Sequence, residues 1–239
     1  MPYSRWILFP VIIYLVSIFY LQGLNGDYVI AQIIYGAEGG SWVLKKHWLT
    51  ETLIHKWGHH LVIALYISIM GIYVISFRNK RLSNYNSGLK YLVIGIPLGT
   101  LIVSLLKHVT HISCPWDLTA FGGDQPYFPW VRSILESNIK ESGQCFPAGH
   151  ASSAYTYFTL FFFSRNYFPD YAKTVLLCVL FFGLIYGVSQ QLRGAHFLSH
   201  DLTSALICWF SSLALWIYFS RENTLKKSKI LIDSGEEND

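Results

Sequence analysis

Three short stretches of the chain carry side chains with chemistry in them. The first holds Lys107 and, beyond it, Cys114-Pro115-Trp116-Asp117. The second reads Cys145-Phe146-Pro147-Ala148-Gly149-His150-Ala151-Ser152, and the third Arg193-Gly194-Ala195-His196-Phe197-Leu198-Ser199-His200-Asp201. In the second, a proline and a glycine open a helix, so free backbone N–H groups point at the preceding loop. Such a helix end attracts anions, and a phosphate suits it. His150, in the first turn, is placed to donate a proton to a phosphate ester oxygen; a helix cap with a solvated histidine is the plainer alternative for this stretch alone. In the third, His196 and His200 stand four apart and share one face of a helix. That spacing lets one act as a nucleophile while the other orients it. Lys107 and Arg193 can offset the charge of a phosphoryl group, and Asp201 can hold a histidine ring in one tautomer.

A metal site is the rival chemistry. His55 and His59 are four apart, as are His196 and His200, and two such pairs can make a zinc site. Against it, no carboxylate or cysteine stands at ligand spacing, and Lys107 is a poor neighbour for a cation. The expectation is a site without metal or cofactor. The four cysteines show neither zinc spacing nor a C-x-x-C pair. Cys178 and Cys208 lie in apolar runs and read as small core residues.

The elements that position these stretches are membrane helices. Of 239 residues, 52% are hydrophobic and 13% charged, about half the charged share of a soluble domain. The net charge of +4 does not mark a nucleic-acid protein, because the basic residues sit in short clusters beside apolar runs and form no stripe. Runs long enough to span occupy about residues 6–24, 61–77, 89–106, 147–164, 174–190 and 202–219. The first is read as a retained helix, since Ser4-Arg5 is a weak basic start and no small-residue cleavage site follows. Between the first two runs, residues 25–60 hold too many polar side chains to span. In the loop before the fourth, Trp130, Val131, Ile134, Leu135 and Ile139 fall at the spacing of a short amphipathic helix.

The expected architecture is therefore all-α: one six-span membrane domain over residues 1–220, with segments 25–60 and 107–146 on one face, and a disordered cytoplasmic tail at 221–239. Lys and Arg cluster at the N-terminus, in the 78–90 and 165–173 loops and in the tail. By the positive-inside rule that side is cytoplasmic, with both termini on it. All nine histidines fall in or beside the opposite, non-cytoplasmic segments. The group at His47, His55, His59 and His60 reads as interface residues.

At the three stretches the sequence resembles the type 2 phosphatidic acid phosphatase superfamily of membrane lipid phosphatases. That family shows a lysine, six residues, then Arg-Pro; next Pro-Ser-Gly-His; and last an arginine, five residues, a histidine, three residues and an aspartate. Lys107 and Pro115 keep the first spacing, Pro147, Gly149 and His150 the second, and His196 the nucleophile position of the third. The six-span layout matches too. Four positions depart: Cys114 and Gln190 stand where the family has arginines, Ala148 where it has serine, and His200 where it has aspartate. Arg193, one turn after Gln190, can aim its guanidinium at the same phosphate. Asp201 is adjacent to the expected position but rotated by about 100° on a helix.

The resemblance implies an all-α bundle of that fold and a metal-independent phosphatase acting on a phosphorylated or pyrophosphorylated membrane lipid. It places the site on the periplasmic side of a bacterial inner membrane. His196 would form a phosphohistidine and His150 would protonate the leaving oxygen. Lys107, Arg193 and the Gly149 and Ala148 positions would bind phosphate, and His200 or Asp201 would orient His196. Phosphotransfer to a second lipid by the same histidine, and a non-catalytic protein of the same fold, are the alternatives. Cys114 and Cys145 each adjoin a motif on the oxidising side. A disulfide pinning the two loops and a pair of buried thiols both fit.

Overall fold

The computed structural model describes residues 3–136 and 143–233. It is an all-α bundle, with no β-strand among the described residues. Helix α1 (Ser4–Ile18) runs into a π-helical turn at Phe19–Gly23, and α2 (Gly26–Ala37) follows after a sharp corner. A π-helical stretch, Trp48–Trp57, continues without a break into α3 (Gly58–Ser76). Then come α4 (Lys80–Ser83), α5 (Asn86–Thr110), α6 (Trp130–Leu135), α7 (Gly149–Tyr155), α8 (Phe158–Tyr167), α9 (Pro169–Leu192) and α10 (Leu198–Asp233). Helix α6 is the expected amphipathic piece; Ile139 lies outside the described residues.

Among the described residues, five segments are long and apolar enough to cross a bilayer: Ser4–Gly23, Trp48–Ser76, Asn86–Asp117, Pro169–Leu192 and Leu198–Arg221. The remaining expected run is realised as α7 and α8, both packed on α9 and α10 and divided at Thr156-Tyr157. The division has a local cause. The Thr156 hydroxyl donates to the Ile96 carbonyl of α5, and Tyr157 donates its hydroxyl to the Val62 carbonyl of α3 at 2.6 Å. The backbone tightens there to i→i+3 bonds, Tyr157 N–H to Ala154 O and Leu160 N–H to Tyr157 O.

Two further differences concern the ends. The helix that holds the second apolar run begins at Trp48 and not near residue 61, so polar residues 48–60 are helical and bring His55 against His150, while His59 and His60 stay exposed. Helix α10 continues to Asp233, into the tail expected to be disordered. Residues 221–233 hold Glu, Leu and Lys, which favour helix, and no glycine or proline before Gly235.

The core is aromatic. Tyr91, Leu92 and Ile96 of α5 pack with Phe158, Phe161 and Phe162 of α8 and with Trp209 and Leu213 of α10. Glycines let the helices close up: a Cβ on Gly183 of α9 would lie 2.1 Å from the Tyr155 ring, and one on Gly88 of α5 2.3 Å from the Tyr167 ring. The opposite faces stay apolar and uncovered, as at Phe9, Ile12 and Val16 on α1, Ile67 and Val74 on α3, and Leu177 and Phe181 on α9. Such a belt is stable in lipid and not in water. At one end of the bundle Arg165 lies 4.5 Å over the Trp6 ring and Lys90 5.8 Å over that of Phe219. The histidines gather at the other end.

Candidate active site

The three stretches converge where α5 ends, α7 begins and the α9–α10 loop turns. Lys107, in the last turn of α5, sits beside Gly149: a Cβ built on that glycine would be 3.7 Å from Nζ. His150 follows in the first turn of α7, where burial, and after it His55 and Lys107, push its imidazole down to about 3, so the ring is neutral in the free protein. Trp116 N–H donates to Gly194 O at 2.9 Å, tying the first stretch to the third. Gly194 must be glycine on two counts. Its φ is +68°, and any Cβ would fall 2.5 Å from the Trp42 ring.

His196 is buried in that turn, outside the spanning segments. Its Nδ1 is 2.7 Å from the carbonyl oxygen of Cys145. A carbonyl only accepts, so Nδ1 carries the proton and Nε2 holds a free lone pair. Burial pushes the imidazole well below its usual range, and His200 and Lys107 add to the effect, so the ring is neutral.

Cys145 is itself tethered. Its N–H donates to Ile112 O at 2.9 Å, and its sulfur is bonded to Cys114, with the two Cα atoms 5.2 Å apart. Gly143 allows this approach, since a Cβ there would fall 2.3 Å from Ile112 O.

Arg193 is held in place by its Nε, which donates to Lys45 O at 3.0 Å, and by Nη1, which donates to Gln190 Oε1 at 3.3 Å. Gln190, at the family's arginine position, thus grips the arginine one turn away. Burial lowers the Arg193 guanidinium from its usual range, with Glu51 opposing the shift, and it remains a cation.

Other expected residues are not brought to His196. His200 is fully buried between the rings of Phe146 and Phe197, at 5.2 and 5.3 Å, and its centroid is 5.9 Å from that of His196. Neither of its nitrogens makes a hydrogen bond of ordinary geometry. Asp201 faces α9, where its Oδ2 accepts from Gln191 Nε2 at 2.6 Å and lies against Gly187. One residue of helix turns it away from His196, so the orienting contact belongs to the Cys145 carbonyl. Ala148 is also committed elsewhere: it has no hydroxyl, and its N–H donates to His200 O at 3.3 Å.

The reverse holds for residues read as interface or left without a role. The His55 ring stands nearly perpendicular to that of His150 at 3.8 Å, with His59 at 6.5 Å. Their pairing with His196 and His200 around zinc is not formed. Among the described residues, the one group of three possible ligands within 4.8 Å is Cys114, Asp117 and Cys145, whose sulfurs are bonded to each other. Asp27, buried in the first turn of α2, accepts the Ser199 N–H at 3.1 Å on Oδ1 and Gln22 Nε2 at 2.5 Å on Oδ2. It thereby caps α10 from outside that helix. The Ser199 hydroxyl meets Gln22 Nε2 and Trp130 Nε1 as well. Only the tertiary fold discloses these partners.

Comparison with curated proteins and with solved structures finds no match. A protein-family model described as the PAP2 superfamily matches residues 88–224. That stretch is more than half of the chain and includes Lys107, Gly149, His150, Arg193 and His196. The family carries a phosphatase-type activity on phosphorylated substrates, and the apolar helices make the protein membrane-embedded. By that match the chain belongs to the PAP2 superfamily.

Proposed function

We propose that the protein removes phosphate from a phosphorylated or pyrophosphorylated membrane lipid, without a metal, through a phosphohistidine on His196. The observation that carries this reading is the bond from His196 Nδ1 to the Cys145 carbonyl, which leaves Nε2 as a nucleophile beside Lys107. In the first step Nε2 attacks phosphorus and the bond to the leaving oxygen breaks, while His150, which takes up a proton when the phosphate dianion offsets the charge of Lys107 and Arg193, gives that oxygen the proton. In the second, water attacks the phosphohistidine, His150 takes the proton back, and the P–N bond breaks to release phosphate. Lys107, Arg193 and the Gly149 N–H stabilise the charge that grows on the phosphoryl oxygens.

The same reading puts the reaction on the periplasmic face of a bacterial inner membrane, with both termini cytoplasmic. The basic residues at the end of the bundle away from the histidines support this orientation. The test is phosphate release from a panel of lipid monophosphates and diphosphates in detergent micelles, with and without EDTA. Turnover is expected to survive chelation and to disappear in His196→Ala and His150→Ala. An acid-labile phosphoryl group is expected on the wild-type protein and not on His196→Ala. Continued turnover by His196→Ala overturns the mechanism. Phosphate arriving on a second lipid in place of solution would change the reading to phosphotransfer.

A further inference from the structure

We propose that Cys145, fixed by its disulfide to Cys114, is the positioning residue for the nucleophile and replaces the carboxylate that the chain lacks at residue 200. This rests on His196 being the nucleophile. A family aspartate at that position would be a charged acceptor for Nδ1–H. Here the position is His200, which makes no such bond, and Asp201 is turned to Gln191. The acceptor is a main-chain carbonyl, and a carbonyl is only as well aimed as the backbone that carries it.

Cys145 is aimed by three bonds in three directions. Its N–H is held by Ile112 O, its sulfur by Cys114, and its carbonyl meets His196. The first two bonds fix the Cα and the peptide plane before it, which leaves the carbonyl a turn about its own Cα–C bond that would drag Phe146 with it. The residues around it add to the clamp: Thr110 donates its hydroxyl to Phe146 O at 2.5 Å, and the Phe146 ring stacks on Trp130 at 4.2 Å. Cys114 in turn opens the turn Pro115–Asp117, and its N–H donates to Asp117 Oδ2 at 3.1 Å. The disulfide therefore joins two rigid corners, one below the carbonyl and one carrying the loop that meets Gly194. The cysteine that stands in place of a family arginine gives up a phosphate contact, and its sulfur bond fixes the tautomer of the nucleophile.

Two readouts test this on the full chain in detergent micelles. Imidazole 15N shifts, assigned by comparison with His196→Gln, are expected to report the Nδ1–H tautomer of His196 in the oxidised protein. A mixture of tautomers is expected once the disulfide is reduced with a phosphine, with free thiols verified by alkylation and mass spectrometry. Turnover of dioctanoyl phosphatidic acid is expected to lose about ten- to a hundredfold in kcat, with KM within about twofold, since misaimed reacting groups cost rate at that scale. Cys114→Ser is expected to match the reduced wild type in both readouts and to be indifferent to reductant. An unchanged tautomer, or an unchanged kcat after complete reduction, overturns the proposal. A protein that turns over no lipid phosphate but still shifts its tautomer on reduction would overturn the phosphatase reading and leave the positioning role standing.

Discussion

A neutral imidazole attacks phosphorus only through the nitrogen that carries no proton, so the partner of the other nitrogen decides whether attack is available. His196 satisfies that condition through Cys145, and its buried, neutral state keeps the lone pair free where an ordinary histidine would be charging. The charge on the transferred group then falls to Lys107 and Arg193. Arg193→Gln is expected to lower kcat/KM by about a hundredfold or more, the scale of deleting one preorganised donor to a developing oxyanion. Steady-state kinetics on a lipid phosphate check this, and a loss below about threefold would place the guanidinium outside the site. Lys107, His150 and His196 were legible in the sequence because each belongs to a run whose internal spacing implies a role. Arg193 was legible as a substitute because it lies one turn from Gln190. His55 was not: it reaches His150 across 95 positions of chain, and only the helix that begins at Trp48 aims it there. The roles read for His200 and Asp201 assumed a helix running through His196, whereas α10 begins at Leu198. A main-chain carbonyl accepts the hydrogen bond from Nδ1, which no pattern of side chains announces.

Helix α10 starts at the nucleophile's loop, and its first turn is capped by a carboxylate from α2. Burial pushes the Asp27 carboxyl up to about 6, outweighing the bonds from Ser199 and Gln22 that favour its charge. Because the folded value lies above the unfolded one, the folded protein holds this proton more tightly. The stability it contributes is full below about pH 4, falls as pH rises through about 6, and is then lost. Asp27→Asn should keep the cap, because an amide oxygen still accepts the Ser199 N–H. Gln22 can turn to offer Oε1, which has no partner, to the new amide. The variant's thermal midpoint in detergent is expected to stay level from pH 4 to 7 while that of the wild type declines. Parallel curves for the two would show that Asp27 does not titrate in this window. Apolar runs of about twenty residues made the long helices legible at this scale. The division between α7 and α8 was not, because Thr156 and Tyr157 are unremarkable within a span until Ile96 and Val62 offer them carbonyls.

Across the whole molecule the two ends differ in kind. One carries Arg165, Lys90 and the aromatic rings beneath them, the other the histidines, the disulfide and the three stretches. Alkaline phosphatase fused after residue 125 is expected to be active in cells and the same fusion after residue 168 inactive, since that reporter works only outside the cytoplasm. The opposite pattern would invert the orientation. The overall layout was readable because lipid imposes length and charge rules that a single sequence displays, whereas the corner from α1 to α2 depends on a partner far along the chain. That distance bears on how the protein is made. Asp27 and Gln22 meet Ser199 across 172 and 177 residues, and Arg193 meets Lys45 across 148. At about 5–20 residues per second of synthesis, the N-terminal half of the site waits roughly ten to thirty seconds for its other half to leave the ribosome. Until residues 190–201 have emerged, Asp27, Gln22 and the Lys45 carbonyl lack their partners, and the proposed centre has no His196.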